Sequence, residues 1–438
     1  MFSEVREGRT RVLVPKKPTK SIFYNPKMEL SRDLDVASVA AFLALNRKPL
    51  RFAADALAGT GIRGLRLACE VFSASSASSA SSASSASSAS SAVSSSASSS
   101  EERGESAVQQ AVVGAEECSV VLNDRSKPAY EVIQRNIRLN GVEGFARASN
   151  EDANVLLHRF RFDLVDLDPF GSPAPFLDAA CKSVRRLLLV TATDTAPLCG
   201  AHSGGFRKYD AFPLRTEYHS ELATRILLGK VARELLKHEK LAMPLLCYAK
   251  RHFVRIVVGV ERCGARRTEA ETLRNLGFLA HCFSCGNRFS LSISEFFERG
   301  FSQCDVCGSP LRFAGPLFVG ALHQKTFCEA VLSELNARNE LNERKTALKI
   351  VERCKEELEI PFYYELHAVC KSLKVTPPPL NAVLESLRER GFKASRTHFS
   401  NTAFKTDASI SEIKESVKEV STNARRCYLS DRRGSGEK

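Results

Sequence analysis

No run of about 18 apolar residues occurs in the 438-residue chain, so no membrane-spanning helix is expected. The opening stretch, MFSEVREGRTRVLVPKKPTK, lacks the apolar core of a secretion signal. Glu4, Glu7 and the want of an amphipathic stretch argue against a transit peptide. Without a secretion signal, the 14 cysteines do not read as a disulfide framework. Four of them stand in CxxC pairs, which points instead to metal binding in a reducing compartment. Nuclear and mitochondrial sites both stay open, because Pro15-Lys16-Lys17-Pro18 is too short to serve as an import signal.

Acidic residues are also in short supply. Lys and Arg total 63 against 50 Asp and Glu, a formal charge of +13. Such an excess draws polyanions by counterion release and makes nucleic acid the leading partner class. The length allows two or three domains, and a 43% hydrophobic fraction is that of an ordinary globular protein.

The tract from Ser73 to Ser100 is nearly all Ser and Ala. It has almost nothing to bury and reads as a disordered insert reaching a little past Gly104, 73–104 in all. It lies between a strand–turn–helix unit ending near Val71 and a new strand at Ser119-Val120-Val121-Leu122. It is therefore a surface insertion within one domain, since long surface loops cost little closure entropy. With the tract set aside, strands and helices alternate. Strands are expected at Phe52–Leu57, up to Asn123-Asp124, at Phe162–Leu167, Leu187–Thr193 and Val254–Val260. Helices are expected at Ile62–Val71, through Tyr130, Ile133 and Ile137, and at Phe176–Val184. This pattern predicts an α/β fold with a parallel doubly wound sheet over 1–260, its ligand site at the carboxyl ends of the strands. Residues 261–406 read as a smaller α+β domain with a cysteine-bearing insert at 282–307 and helical segments near Thr326–Leu358 and Phe362–Leu373. The polar residues 407–438 read as a disordered tail.

Gly59-Thr60-Gly61-Ile62-Arg63-Gly64 matches GxGxxG directly after a strand and at a helix start, where glycines permit a tight turn and close approach to a ligand. Asp124 closes the second strand, where an acid can accept both ribose hydroxyls of a nucleotide-like cofactor. Methyltransferases and dinucleotide dehydrogenases share this arrangement. Asp166-Leu167-Asp168-Pro169-Phe170-Gly171 separates them. An amino group on an aromatic base is a poor nucleophile because its lone pair is delocalised into the ring. An acid followed by proline and an aromatic supplies an acceptor for the N–H groups, a fixed turn and a stacking ring. Asp168 is the expected acceptor, Pro169 the turn and Phe170 the platform. Methylation at carbon would need a cysteine nucleophile. Cys199 is the nearest candidate, but no adjacent base would make it a thiolate, and it reads as structural.

Cys282-Phe-Ser-Cys285-Gly and Cys304-Asp-Val-Cys307-Gly are two CxxCG turns with zinc-ligand spacing. Four filled positions predict one structural zinc rather than a water activator. Cys328, Cys354 and Cys370 lie on helical patterns and read as packed thiols. Arg207, Lys208, Lys393 and Arg396, near Tyr209, Phe392 and Phe399, are the expected RNA-phosphate surface.

These motifs, with Phe23-Tyr24-Asn25-Pro26-Lys27-Met28, Ser31-Arg32-Asp33, Thr191-Ala192-Thr193-Asp194, Ala196-Pro197-Leu198-Cys199-Gly200, Arg207-Lys208-Tyr209 and Arg396-Thr397-His398-Phe399-Ser400, resemble the tRNA (guanine-26) dimethyltransferase family. The likeness runs from about Arg9 to Thr406, broken by the Ser/Ala tract. It departs at Ser31-Arg32-Asp33, where the family usually has Asn-Arg-Asp. The resemblance implies a Rossmann-like methyltransferase domain and a C-terminal domain, both touching tRNA. By motif match, Arg32, Arg63, Asp124, Asp152 and Ala153 would line the S-adenosylmethionine site beside Gly59 and Gly61, and Phe23, Asp168 and Phe170 would frame the guanine. The expected product is mono- and dimethylguanosine, made by a monomer acting on tRNA. The alternatives are an amino-methyltransferase acting on DNA or another RNA, and an inactive tRNA-binding protein.

Overall fold

The computed structural model describes residues 2–434 except 18, 20, 47, 74–118, 251 and 301, and no side chain of Arg299 or of 424–434. The Ser/Ala insert therefore lies outside the described residues, apart from Ser73 at the end of its helix. The chain opens with a hairpin, β1 (Phe2–Glu7) and β2 (Thr10–Pro15), turned at Gly8 with φ +55°. The helix Glu29–Leu45 follows, with every residue from Leu30 to Phe42 buried. A helix buried all round is normally apolar. This one carries Arg32, Asp33 and Asp35 inside, and each must be paired.

The main sheet has seven strands in the order β5-β4-β3-β6-β7-β9-β8. These are β3 (Phe52–Asp55), β4 (Ser119–Asn123), β5 (Ala146–Ser149), β6 (Leu164–Leu167), β7 (Leu187–Ala192), β8 (Lys240–Lys250) and β9 (Phe253–Arg262). Strand β3 pairs in parallel with β4 on one side and β6 on the other, so the chain reverses its direction of winding at β3/β6. Ligands of doubly wound sheets bind at such a switch point. The expected Rossmann-like fold is present. Two strands of this sheet escaped the sequence reading: β5, and then β8, which pairs antiparallel with β9. Its alternation is broken by Pro244, where the register shifts, and a proline inside an apolar run argues against a strand.

Two smaller antiparallel sheets follow, β11-β10-β12 and β13-β15-β14. The first comprises β10 (Leu276–His281), β11 (Arg288–Ser292) and β12 (Arg312–Phe318); the second β13 (Tyr364–Glu365), β14 (Ala394–Arg396) and β15 (Ala403–Thr406). The chain forms two compact units: 1–168 with 182–187 and 333–347, and 169–181 with 188–332 and 348–438. They are drawn along a different line from the expected domains 1–260 and 261–406. Residues 333–347 belong with the first unit because Arg338 donates to the Glu70 carbonyl (3.0 Å) and the Glu343 amide to Asp33 (2.9 Å).

The expected disordered tail, 407–438, is corrected as far as residue 434; residues 435–438 lie outside the described residues. A helix runs Ile410–Gly434. Ile410, Ile413 and Val417 recur three and four residues apart and enter a core with Val383, Leu384 and Leu387. Ser409 and Glu412 cap the helix start reciprocally. The dense charge of the segment hid this narrow apolar stripe.

Candidate active site

The site begins at the end of β3. Gly59 has φ +58° and Gly61 φ +84°, left-handed conformations that glycine adopts without penalty. A Cβ on Gly59 would stand 2.7 Å from the Phe23 carbonyl, so that position is closed to any side chain. Gly64, on the helix Ile62–Leu67, presses the helix against β4: a Cβ there would lie 2.9 Å from Leu122. The three glycines thus divide the work of the motif between turn, close approach and packing. Asp124, just past β4, accepts from the Gly59 amide (3.0 Å) and the Ser126 amide (2.8 Å). Burial raises its pKa against the pull of those two donors. Asp152 caps the helix Ala153–Arg159 through the Asn154 amide (2.9 Å), and Ala153 is buried.

The two arginines implied at the cofactor are not loose cations. Arg32 makes a two-pronged pair with Glu7, 2.6 Å at each prong, and Tyr24 Oη donates to the same carboxylate (2.8 Å). Arg63 donates through Nε to Asp168 Oδ2 (2.5 Å) and through Nη1 to Asp35, while Nη2 reaches Ser31 Oγ at 3.3 Å. Ser31, the departure from the family's asparagine, therefore keeps a polar contact with Arg63. Behind them Arg66 pairs with Asp33 (2.6 Å) and Glu70 (3.0 Å). Phe23, Arg32, Gly59, Arg63 and Asp168 line one cavity of about 40 Å³, together with Asp55 and Met28. A larger cavity of about 630 Å³, lined by Lys48, Arg51, Arg161 and Arg185, holds none of the motif residues. The smaller one gathers the motif residues.

Sequence reasoning missed Glu7, Asp35 and Asp55. Asp55 is buried at the end of β3, and burial and the charge of Asp166 push its pKa up to about 8. Its Oδ2 accepts from the Gly64 amide (3.0 Å). Asp35 had left a signal, an acid inside the apolar run Asp35-Val36-Ala37-Ser38-Val39-Ala40-Ala41-Phe42. Glu7, 25 residues from Arg32, left none.

Asp168 follows β6 and Pro169 is buried, while Phe170 is 86% exposed and Phe23 49%. The loop after Phe170 is tied to the end of β7: the Gly171 amide donates to Thr193 Oγ1 (2.8 Å) and the Thr193 amide to the Gly171 carbonyl (2.9 Å). Cys199 is half-buried, and burial pushes its thiol up to about 11, so a structural role stands. Tyr209 corrects the expected RNA surface. It is fully buried, with Oη donating to Asp194 (2.5 Å), and Lys208 pairs with that same acid (2.8 Å).

The four motif cysteines come together in the second unit. Cys282 and Cys307 lie 3.4 Å apart through sulfur, Cys285 and Cys304 3.6 Å, and all four sulfurs lie within 4.8 Å of one another. Each CxxCG turn closes on its glycine, whose amide donates to the first cysteine's carbonyl: Gly286 to Cys282 at 2.9 Å and Gly308 to Cys304 at 2.8 Å. Cys328, Cys354 and Cys370 are buried, as packed thiols should be.

Comparison with known proteins identifies the family. The family model described as N2,N2-dimethylguanosine tRNA methyltransferase matches residues 4–89 and 103–418. A tRNA (guanine(26)-N(2))-dimethyltransferase of Methanosarcina barkeri is 41% identical, covering 96% of this chain and 100% of that protein. The protein of the same name from Archaeoglobus fulgidus is 35% identical over 92% and 95%. The solved structure of Trm1 from Pyrococcus horikoshii with S-adenosyl-L-methionine matches with a TM-score of 0.75 and 32% identity, covering 95% of this chain and 99% of that one. The glycine turn, the Asp168-Pro169-Phe170-Gly171 loop and the nearly full-length match lead to one conclusion: this chain belongs to the N2,N2-dimethylguanosine tRNA methyltransferase family.

Proposed function

We propose that the chain transfers methyl groups from S-adenosylmethionine to the exocyclic 2-amino group of guanine-26 in tRNA, giving mono- and then dimethylguanosine. The observation that carries this reading is Asp168, at the end of the strand beside the glycine turn, held by Arg63 in the cavity that Phe23 and Gly59 also line. S-adenosylmethionine supplies an electrophilic methyl on a sulfonium. Asp168 accepts an N–H of the guanine amine, orients its lone pair and takes the proton released as the N–C bond forms and the S–C bond breaks. The carboxylate stays in place because Arg63 grips one of its oxygens while Asp35 anchors Arg63 from behind. Phe170 and Phe23 offer exposed ring surface to the base. Gly59, Gly61, Arg32, Arg63, Asp124, Asp152 and Ala153 are the residues assigned to the methyl donor. Mass spectrometry of nucleosides from a tRNA transcript incubated with protein and methyl donor tests the reading; a transcript left without methylguanosine refutes it.

The cysteine cluster fits one structural zinc. Tetrahedral bonds of about 2.3 Å place sulfurs on the order of 3.8 Å apart, close to the separations of 3.4 and 3.6 Å. Four thiolates leave no position for water, so the ion stabilises the insert and takes no part in methyl transfer. Elemental analysis is expected to give about one zinc per chain, lost in Cys304→Ser together with thermal stability. Metal-free protein of unchanged stability would remove the assignment.

A further inference from the structure

Six phenylalanines stand among the exposed large apolar side chains of the described residues: Phe23, Phe170, Phe206, Phe212, Phe283 and Phe297. The first two are assigned to the target guanine, and the last two lie within the cysteine insert. Phe206 and Phe212 belong to neither group. They stack on each other, centroids 4.6 Å apart and planes at 22°, yet remain 56% and 59% exposed. Two rings that merely hide from water would be expected to sink into the core, as Tyr209 between them in sequence has done.

The pair is built into a rigid loop. Gly205, which opens the short helix Gly205–Tyr209, presses against the far side of the turn: a Cβ there would stand 2.8 Å from Pro213 Cγ. Asp210 adopts φ +49°, rare for a residue with a side chain, and thereby folds Phe212 back beneath Phe206. Lys230 holds the Asp210 carboxylate (2.5 Å) and Arg233 the Tyr209 carbonyl (2.9 Å). The Phe212 backbone is bridged in both directions to Gly315, at 2.8 and 2.9 Å. The same loop is fastened to the target-base loop, because Tyr209 Oη meets Ser172 Oγ at 2.9 Å, two residues beyond Phe170. Arg207 and Arg215 flank the pair and are exposed.

We propose that Phe206 and Phe212 form a second stacking platform, which receives the nucleobase next to the target guanine when that guanine leaves its stack. An enzyme that works on a base inside a helix must extract it, and extraction strips its neighbour of a stacking partner. An exposed aromatic face on a loop fastened to the loop of Phe170 restores that contact regardless of base identity, and adjacent arginines take the phosphates. The inference rests on the proposed reaction at guanine.

The test is a cycle between protein and RNA. tRNA transcripts carrying an abasic site on the 5′ or the 3′ side of the target guanine are compared with the unaltered transcript. Each is bound and methylated by wild type, by Phe206→Ala/Phe212→Ala and by Phe206→Tyr/Phe212→Tyr. The alanine pair is expected to weaken binding of unaltered tRNA roughly five- to a hundredfold, with S-adenosylmethionine affinity and thermal midpoint unchanged. The tyrosine pair should restore it. One of the two abasic transcripts should cost wild type a similar factor and cost the alanine pair nothing further. Strictly multiplicative losses with both abasic transcripts would overturn the platform. So would wild-type tRNA affinity in the alanine pair, or a loss that tyrosine fails to rescue. Methylation of unaltered tRNA by wild type tests the activity itself, and the platform is read only from ratios between variants.

Discussion

Two networks of buried charge sit in this chain, built from the same chemistry in different surroundings. In the first unit Glu7 pairs with Arg32, Arg63 joins Asp35 to Asp168, and Arg32, Arg63 and Asp168 line the 40 Å³ cavity at the switch point of the sheet. In the second unit Glu221 accepts from Arg225 (2.8 Å) and Lys405 (3.0 Å), Lys405 pairs with Glu357 (2.7 Å), and His398 Nδ1 meets Glu357 at 2.8 Å. Burial would raise the Glu357 pKa, but Lys405 and His398 outweigh it and hold the carboxyl well below its usual range. The space beside this second network is about 10 Å³, room for one water at most. His323 and Cys354 come within metal-ligand reach of His398 there. However, the Cys247 amide donates to His323 Nδ1 (3.4 Å), leaving the proton of a neutral ring on Nε2 rather than a lone pair for a cation. Buried charge alone thus says little about catalysis. The first network meets open space at strand ends, where the proposed reaction is assigned, and the sealed one joins β15 to helices distant in sequence.

The sealed network yields the largest expected effect. Lys405→Met would leave Glu221 and Glu357 buried with one cation fewer, which typically costs about 3–5 kcal/mol. Chemical denaturation should show that loss, and Lys405→Met/Glu357→Gln should recover part of it by removing the orphaned charge. A loss under about 1 kcal/mol, the level of an exposed pair, would erase the contrast between the networks.

The open network should respond in rate rather than in stability. Asp168→Ala is expected to slow single-turnover methyl transfer on the order of a hundredfold or more, as loss of a transition-state acceptor does. Binding of tRNA should stay within a few-fold, judged by the same scale. Near-normal turnover would remove Asp168 from the chemistry.

Asp55 allows a finer comparison through pH. Its ordinary pKa of 3.8 is raised to about 8 by burial and by Asp166. Between those values the folded protein holds a proton that the unfolded chain has released, so stability falls as pH rises from about 4 to about 8. Asp55→Asn keeps an acceptor for the Gly64 amide and cannot ionise. Thermal midpoints of the variant should lose less over that range than those of wild type; parallel pH profiles would show that Asp55 is ionised throughout.

What the sequence disclosed and what it withheld follow a physical line. Gly59, Gly61, Asp124 and Asp168 were legible as strand-end positions because strand–turn–helix geometry is set within a few residues. The cysteine turns were legible for the same reason. Glu7, Glu221 and Glu357 were not, because Arg32, Lys405 and His398, which draw them into these networks, lie 25 to 184 residues away and only the fold unites them. Strand β8 was masked by Pro244 and the last helix by its charges. Tyr209 was misread as a surface ring because nothing local announces that Ser172 and Asp194 will bury it.

The smallest expected effect concerns the charge left over once these networks are paired. Lys208 spends its charge on Asp194 at 2.8 Å. Arg396 instead donates to two neutral acceptors, Asn381 Oδ1 (2.6 Å) and the Asn401 carbonyl (3.3 Å), so it keeps a full positive charge on the surface. If leftover charge is what grips RNA, the two should differ. Each phosphate contact releases counterions, and its loss flattens the log–log dependence of affinity on salt by about 0.7 to 0.9 units. Arg396→Ala should flatten the slope by roughly that amount and weaken tRNA binding, with S-adenosylmethionine affinity unchanged. Lys208→Ala should flatten it less, because a cation already spent on Asp194 has no phosphate contact to lose. Titrations between roughly 50 and 200 mM salt resolve the difference. Equal slopes for wild type and Arg396→Ala would mean that Arg396 serves Asn381 and the loop at Asn401 alone, and that the excess of +13 acts elsewhere on the surface.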